Sequence, residues 1–321
     1  MNFTRANNIL PVGGIIKPFM PTECGYNVEE DISNHTGAIG SLASQAKNIP
    51  MLYAEYFRHG IARTYLFALH NADGYGLLES DQATKRPSYF AVKNFVAALK
   101  DATWNPGTKK WEGGQFTPKA LLFDIPGAPA TIHTLVLQKE SGQYSLLIWN
   151  EVPNYDGGAH KELQPPPAPV QIVFQTPLQA AATVLTQNAQ GEYDSSTVQL
   201  SANSLSLSVP SSVTIVRLTP QVTPVAAVAA PVGLDGKATE IDADLAWQPV
   251  PSAAGYFVFR NGWHIATVTA PRYHDESSWL RPGLGYTYGV QAFDKAGNMS
   301  ARAQTIVQTA PRFPDLIVTE F

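Results

Sequence analysis

The chain has 321 residues, 44% of them hydrophobic and 15% charged, with a net charge of −4. Such a length and apolar content can bury more than one core, and it divides naturally into two or three domains. The weak charge balance gives no basis for nucleic-acid or anionic-membrane binding, and the single cysteine, Cys24, excludes an intrachain disulfide framework or a cysteine-rich zinc site.

Ile15 to Met20 is a short apolar run of the kind a strand buried on both faces shows. It stops on Thr22-Glu23, and Gly25 then lets the backbone turn, leaving Glu23 exposed at the strand's carboxyl end. Turn formers fill Asn27 to Gly40. From Ser41 the apolar residues Leu42, Ala43, Ala46, Ile49, Leu52, Tyr53, Tyr56 and Phe57 fall at helical spacing. Pro50 inside that stripe predicts two short helices or a kink. Arg58, His59 and Gly60 form a stop signal.

Ile61 to His70 reads as a second strand, and Gly74 to Leu78 as a loop. Lys85-Arg86-Pro87 then opens a helix with the stripe Tyr89, Phe90, Val92, Phe95, Val96 and Leu99. Strand, helix, strand, helix implies a right-handed parallel crossover.

From about Phe116 the period changes to that of strands. Thr131–Gln138 and Gln143–Asn150 flank a hairpin turn at Glu140-Ser141-Gly142. Short strands continue through Leu218, as in an all-β sandwich. Thr219 to Val232, rich in alanine, valine and proline, reads as a linker. Beyond it, Asn261-Gly262 is a strong hairpin signal. The seven histidines are scattered without a His-x-x-x-His pair, so no metal is expected. No glycine-rich phosphate loop is present, so no cofactor is expected either. No apolar run reaches the length of a membrane span. Met1 to Asn8 lacks the signature of a signal peptide.

Several of these segments resemble known families. Thr22-Glu23-Cys24-Gly25-Tyr26 looks like the strand-seven motif of the retaining (β/α)8-barrel glycoside hydrolases of the cellulase and β-xylosidase clan. Glu55 to Tyr65 looks like the seventh helix entering the eighth strand. Tyr75 to Glu79 with Lys85 to Tyr89 looks like the opening of the last barrel helix. Leu245 to Pro249, Gly255 to Gly262, Leu284 to Ala292 and Asp294 to Ser300 resemble a fibronectin type III domain. In that resemblance Trp247 is the buried strand tryptophan and Tyr286 the tyrosine-corner residue.

These resemblances imply a multidomain fold: a partial α/β (TIM-type) barrel segment over residues 1–101, then all-β sandwiches over 115–219 and 228–311. They make Glu23 the nucleophile of a retaining hydrolase acting on β-linked glycans. Retaining hydrolysis needs a second carboxyl ~5–5.5 Å away, and the family's acid/base has no counterpart upstream of Glu23. Trp149-Asn150-Glu151 imitates the acid/base signature but sits downstream, in the sandwich. Tyr26, Tyr65, His70 and Asn71 are candidates to bind sugar, with Tyr65 alternatively a core residue and His70 and Asn71 alternatively plain loop residues. The exposed aromatics Trp263 and Trp279 could also stack on sugar rings or plug a sandwich end.

The expected partners are an oligo- or polysaccharide and a chain supplying the rest of the barrel, with no nucleic acid and no membrane span. The full-length parent is expected to be secreted or displayed at the cell surface. The rival readings are a non-catalytic glycan-binding or adhesion protein built on the β-domains, and a pseudoenzyme scaffold.

Overall fold

The computed structural model describes residues 20–28, 40–61, 63–70, 74–114, 116–221, 227–277 and 280–312. Most of the first expected strand, Asn71, Asp73 and Trp279 lie outside them. The described residues fall into two compact units, one within Phe19–Val222 and one within Thr223–Phe321. No described helix is long and apolar enough to cross a membrane.

In the first unit, helix α1 spans Leu42–Arg58 and α2 spans Pro87–Leu99. Ser41 and Ser44 close a capping box at the start of α1, and Pro87 begins α2 at the position where a missing N–H costs nothing. Pro50 breaks nothing: α1 runs through it as one helix. Twelve strands follow: β1 (Thr103–Asn105), β2 (Lys110–Glu112), β3 (Phe123–Asp124), β4 (Ile132–Gln138), β5 (Tyr144–Asn150), β6 (Tyr155–Asp156), β7 (Lys161–Glu162), β8 (Ala168–Phe174), β9 (Ala181–Gln187), β10 (Tyr193–Gln199), β11 (Ser204–Val209) and β12 (Thr214–Leu218). A five-stranded sheet, β10-β9-β12-β5-β4, faces a three-stranded one, β11-β8-β3.

Every residue of β5 is buried, because both of its faces are covered. Tyr144, Leu146 and Ile148 point into the core between the sheets, with Val170, Ile172, Phe174 and Leu205. Leu147 and Trp149 point the other way and pack with Leu185 and Ile215 against Ala54, Phe95 and Ala98 of the helices. The strand's period of two thus serves two cores at once.

The partial α/β barrel does not form. The described residues hold two helices and nineteen strands, and every strand pairing is antiparallel. One parallel contact exists, the isolated bridge between Cys24 and Leu66. Residues 63–70, expected as a strand, carry only that bridge. Their main chain meets two short segments: Tyr65 N–H donates to Pro21 O at 3.1 Å and Phe67 N–H to Cys24 O at 2.8 Å, while Leu77 and Leu78 N–H donate to Leu69 O at 3.1 and 3.0 Å. None of these contacts extends into a ladder, as a sheet requires, and Tyr65, Phe67 and Leu69 stay exposed. The helices take the outer face of the five-stranded sheet instead.

The second unit is a two-sheet sandwich of seven strands: β13 (Asp235–Ala238), β14 (Ala243–Ala246), β15 (Gly255–Arg260), β16 (Trp263–Val268), β17 (Arg272–Asp275), β18 (Gly285–Phe293) and β19 (Ala303–Gln308). The sheets run β13-β14-β17 and β16-β15-β18-β19. Between them lie Leu245, Trp247, Tyr256, Val258, Tyr288 and Val290. The β15–β16 hairpin turns on Asn261 (φ 52°) and Gly262 (φ 88°), the left-handed pair that a two-residue hairpin requires. The Tyr286 hydroxyl accepts the Arg281 N–H at 2.8 Å, closing a tyrosine corner. Buried Asp275 receives both the Tyr288 hydroxyl at 2.7 Å and Arg260.

Candidate functional site

The expected catalytic loop lies on the first unit. Glu23 is exposed on a bend and makes no hydrogen bond or ion pair with another described residue. Cys24 docks on the 63–70 segment, its N–H reaching Tyr65 O at 3.2 Å and its Sγ the same oxygen at 3.1 Å. Burial pushes its thiol pKa up, so it stays protonated and a poor nucleophile. Gly25 is needed for close approach rather than for a turn: a Cβ there would collide with the Phe67 carbonyl.

Tyr26 is half-buried, and its carbonyl accepts the Gln45 amide at 2.8 Å. Burial, aided by Tyr56, Glu151 and Cys24, pushes its phenol up to about 12. Tyr65 is 49% exposed, which rules out the core role. His70 is exposed on a bend, and Asn71 lies outside the described residues.

The structure assembles a cluster that no local spacing displayed. Glu55 on α1, His133 on β4 and Glu151 just after β5 bring their ligand atoms within 4.8 Å of one another. His133 Nδ1 sits 3.0 Å from Glu55 Oε2 and 2.9 Å from Glu151 Oε2. Glu55 also receives Arg58 at both oxygens, at 3.1 and 2.8 Å, and His59 Nε2 at 2.7 Å. The imidazole of His133 lies edge-on to Trp149, its cross-strand partner. Burial alone would raise the Glu55 pKa, but the bonds from His59, Arg58 and His133 outweigh it and hold the carboxyl well below the usual range.

Glu151, rejected as an acid/base on sequence grounds, therefore faces His133 and lies close enough to Tyr26 to perturb its phenol. Glu55 and His133 were missed. The one visible signal was Glu55, Arg58 and His59 at i, i+3 and i+4 on one helix face. Chemically the cluster is an ion-pair hub tying α1 to the β4–β5 hairpin. The donor types suit a divalent cation, but the guanidinium, which occupies both oxygens of Glu55 and lies 3.5 Å from His133 Nδ1, would repel one. On the second unit an open cleft of about 940 Å³ is lined by Asp235, Lys237, Asp244, Arg272 and His274 among others.

No family model and no curated protein matches the chain. Among solved structures it is similar to an Fn3-like protein from Clostridium thermocellum, at 30% identity over 28% of this chain and 100% of that one, with a TM-score of 0.24. It is similar to a β-1,2-glucanase from Parabacteroides distasonis at 19% identity, covering 61% of this chain and 35% of that one, TM-score 0.26. CelM2, a bifunctional glucanase-xylanase from a metagenome library, is 19% identical over 64% of this chain and 31% of that one, TM-score 0.37. The chain thus spans about a third of the length of each glucanase, and its likeness is to Fn3-like proteins and glycoside hydrolases, in part.

Proposed function

We propose that this chain is a glycan-associated β-module of glycoside-hydrolase lineage, with a β-sandwich and a fibronectin type III-like unit, that does not hydrolyse glycans by itself. The observation that carries this reading is the isolation of Glu23. It stands exposed without a hydrogen-bonding or ionic partner among the described residues, while the carboxylates that do cluster, Glu55 and Glu151, are engaged by His133, and Glu55 also by Arg58 and His59. Retaining hydrolysis requires a nucleophile with an acid partner close by, and that acid contributes ~10²–10⁴-fold in rate.

Glu23 keeps the nucleophile's position in the resembled motif and needs an acid partner that no described residue places beside it. Tyr26, Tyr65 and His70 are its sugar contacts in that case. Secretion or surface display suits such a module. The test is the full chain against a panel of aryl β-glycosides, with polysaccharide binding measured in parallel. Binding without turnover is expected. Turnover that disappears in Glu23→Gln would overturn the proposal.

A further inference from the structure

Strand β17 is an edge of the β13-β14-β17 sheet. Trp247 N–H donates to Pro271 O at 3.1 Å, and the antiparallel register then pairs Leu245 with Tyr273 and Ala243 with Asp275. Hydrogen bonding alternates along such a ladder, so the main chains of Tyr273 and Asp275 face β14 while those of Arg272 and His274 face outward. Among the described residues no strand lies on that side. A row of unpaired N–H and C=O groups is a template for one more strand.

The side chains say which kind of strand. Tyr273 packs against the sandwich core and Asp275 is buried beside Tyr288 and Arg260, whereas Arg272 and His274 are exposed on the opposite face and line the open cleft. Two cross-strand rows build that face: Lys237, Asp244 and His274, then Asp235, Ala246 and Arg272. In the first row Asp244 lies 2.8 Å from His274 Nδ1, and this hydrogen bond raises the imidazole pKa. Lys237, the partner of Asp244 on β13, offsets its charge. In the second row Ala246 separates Asp235 from Arg272, which makes no hydrogen bond or ion pair with another described residue. The border of the free edge is therefore positive from Arg272 to His274, and the acidic Glu276 ends it.

We propose that the free edge of β17 docks an extended acidic segment of a partner protein, added as a further strand with carboxylates two residues apart beside Arg272 and His274. The main chain supplies the hydrogen bonds and the side-chain row the selectivity, as strand addition does elsewhere. Side chains of a strand share a face at every second residue, so two acids at that spacing reach the cleft side together. The unpartnered Arg272 guanidinium then takes one of them in a two-pronged pair. The cleft of about 940 Å³, lined also by Thr267 to Ala270 where β16 leads into β17, gives these side chains room. A second copy of the chain fits less well. Pairing β17 with itself sets Arg272 and His274 against a second such pair, and like charges directly opposite are destabilising. The site goes beyond the glycan reading and does not rest on it.

Amide exchange of the full chain, followed by NMR with a capped peptide of alternating glutamate and valine, tests the site. Saturable binding is expected, with the Arg272 and His274 amides slowed at least tenfold and that of Tyr273, already bonded to β14, little changed. Arg272→Glu should weaken binding at least tenfold with the thermal melt unchanged, because that side chain has no partner to lose. The same peptide N-methylated at alternate residues should not bind, nor should one of alternating lysine and valine. If the glutamate–valine peptide fails to bind, the site falls and the edge charges only keep other strands away. Binding that leaves both amides unprotected would overturn the site too. So would polygalacturonate binding as tightly through Arg272, which would make the face a site for any polyanion. Self-association of the free chain that protects the same two amides would assign the edge to a second copy and equally overturn the proposal.

Discussion

Gln187 donates its side-chain amide to the main-chain oxygen of Ala46 at 2.7 Å, the acceptor that Pro50, four residues further along α1, has no N–H to fill. A proline in a helix interior leaves the carbonyl one turn back without its partner. Here the end of β9 supplies the missing donor from outside the helix. The pair explains why α1 continues through Pro50, and it ties the helix to the sheet at a point where both are buried.

Gln187→Ala should therefore destabilise the first unit by about 1–3 kcal/mol, the usual result of stranding a buried acceptor. Adding Pro50→Ala restores an N–H to Ala46 O, so the loss from Gln187→Ala should shrink in that background. A double-mutant cycle by denaturant unfolding measures the coupling. Strict additivity would show that the two residues do not share the carbonyl.

Gly191, in the β9–β10 turn, has φ 77°, and a Cβ there would collide with the Pro87 carbonyl and come within 2.7 Å of Ala91 N. The obstacle is backbone at the start of α2 and cannot rotate away. Gly191→Ala combines left-handed strain with overpacking, for an expected loss of roughly 2–4 kcal/mol. Unfolding midpoints would show it, and a loss under about 0.5 kcal/mol would mean that the turn and α2 separate easily.

How much of this was legible varied by element. The β-rich runs on either side of Glu140-Ser141-Gly142 and the Asn261-Gly262 turn announced themselves, because β-branched and aromatic content and positive φ are local properties. The helices were legible as helices but not by partner. Helical spacing says that a face is buried without saying against what, and the outer face of an antiparallel sheet served as well as parallel strands would have. The buried side of α2 was also misjudged. Phe95 of the expected stripe is buried, but Val96 is exposed and Tyr89 and Phe90 only half-buried, while Ser88, Ala91 and Ala98 are buried, since α2 packs on Gln45 and the sheet at distances that small side chains allow. Ser88 Oγ lies 2.6 Å from Gln45 Oε1. The Glu55–His133–Glu151 hub draws one residue from each of three distant segments, so only the tertiary fold could reveal it.

Tyr286 anchors the second unit through a single hydroxyl. Removing it by Tyr286→Phe keeps the buried ring but deprives the Arg281 N–H of its acceptor. The expected loss is about 1–3 kcal/mol, read from the full chain's transition for that unit. No change would mean that water replaces the hydroxyl without cost.

The Glu55 hub makes the first unit's stability depend on pH, and the sign follows from the direction of the shift. The folded carboxyl titrates below its unfolded value, near 4.3. Its stabilisation is thus fully present above that value and is lost as pH falls through the folded pKa. Glu55→Gln removes the charge while keeping the shape, so Arg58, His59 and His133 lose the anion they share. At pH 7 the cost should be about 1–2 kcal/mol, held down because Arg58 and His59 are partly exposed to screening water. As pH falls below about 4 the wild type should begin to lose that advantage, and the gap between the two proteins should narrow progressively toward the folded pKa. Guanidinium unfolding at a series of pH values from 7 to 3 tests this. A stability gap that stays constant across the range would show that Glu55 acts through packing alone and that the hub's charges carry no stability.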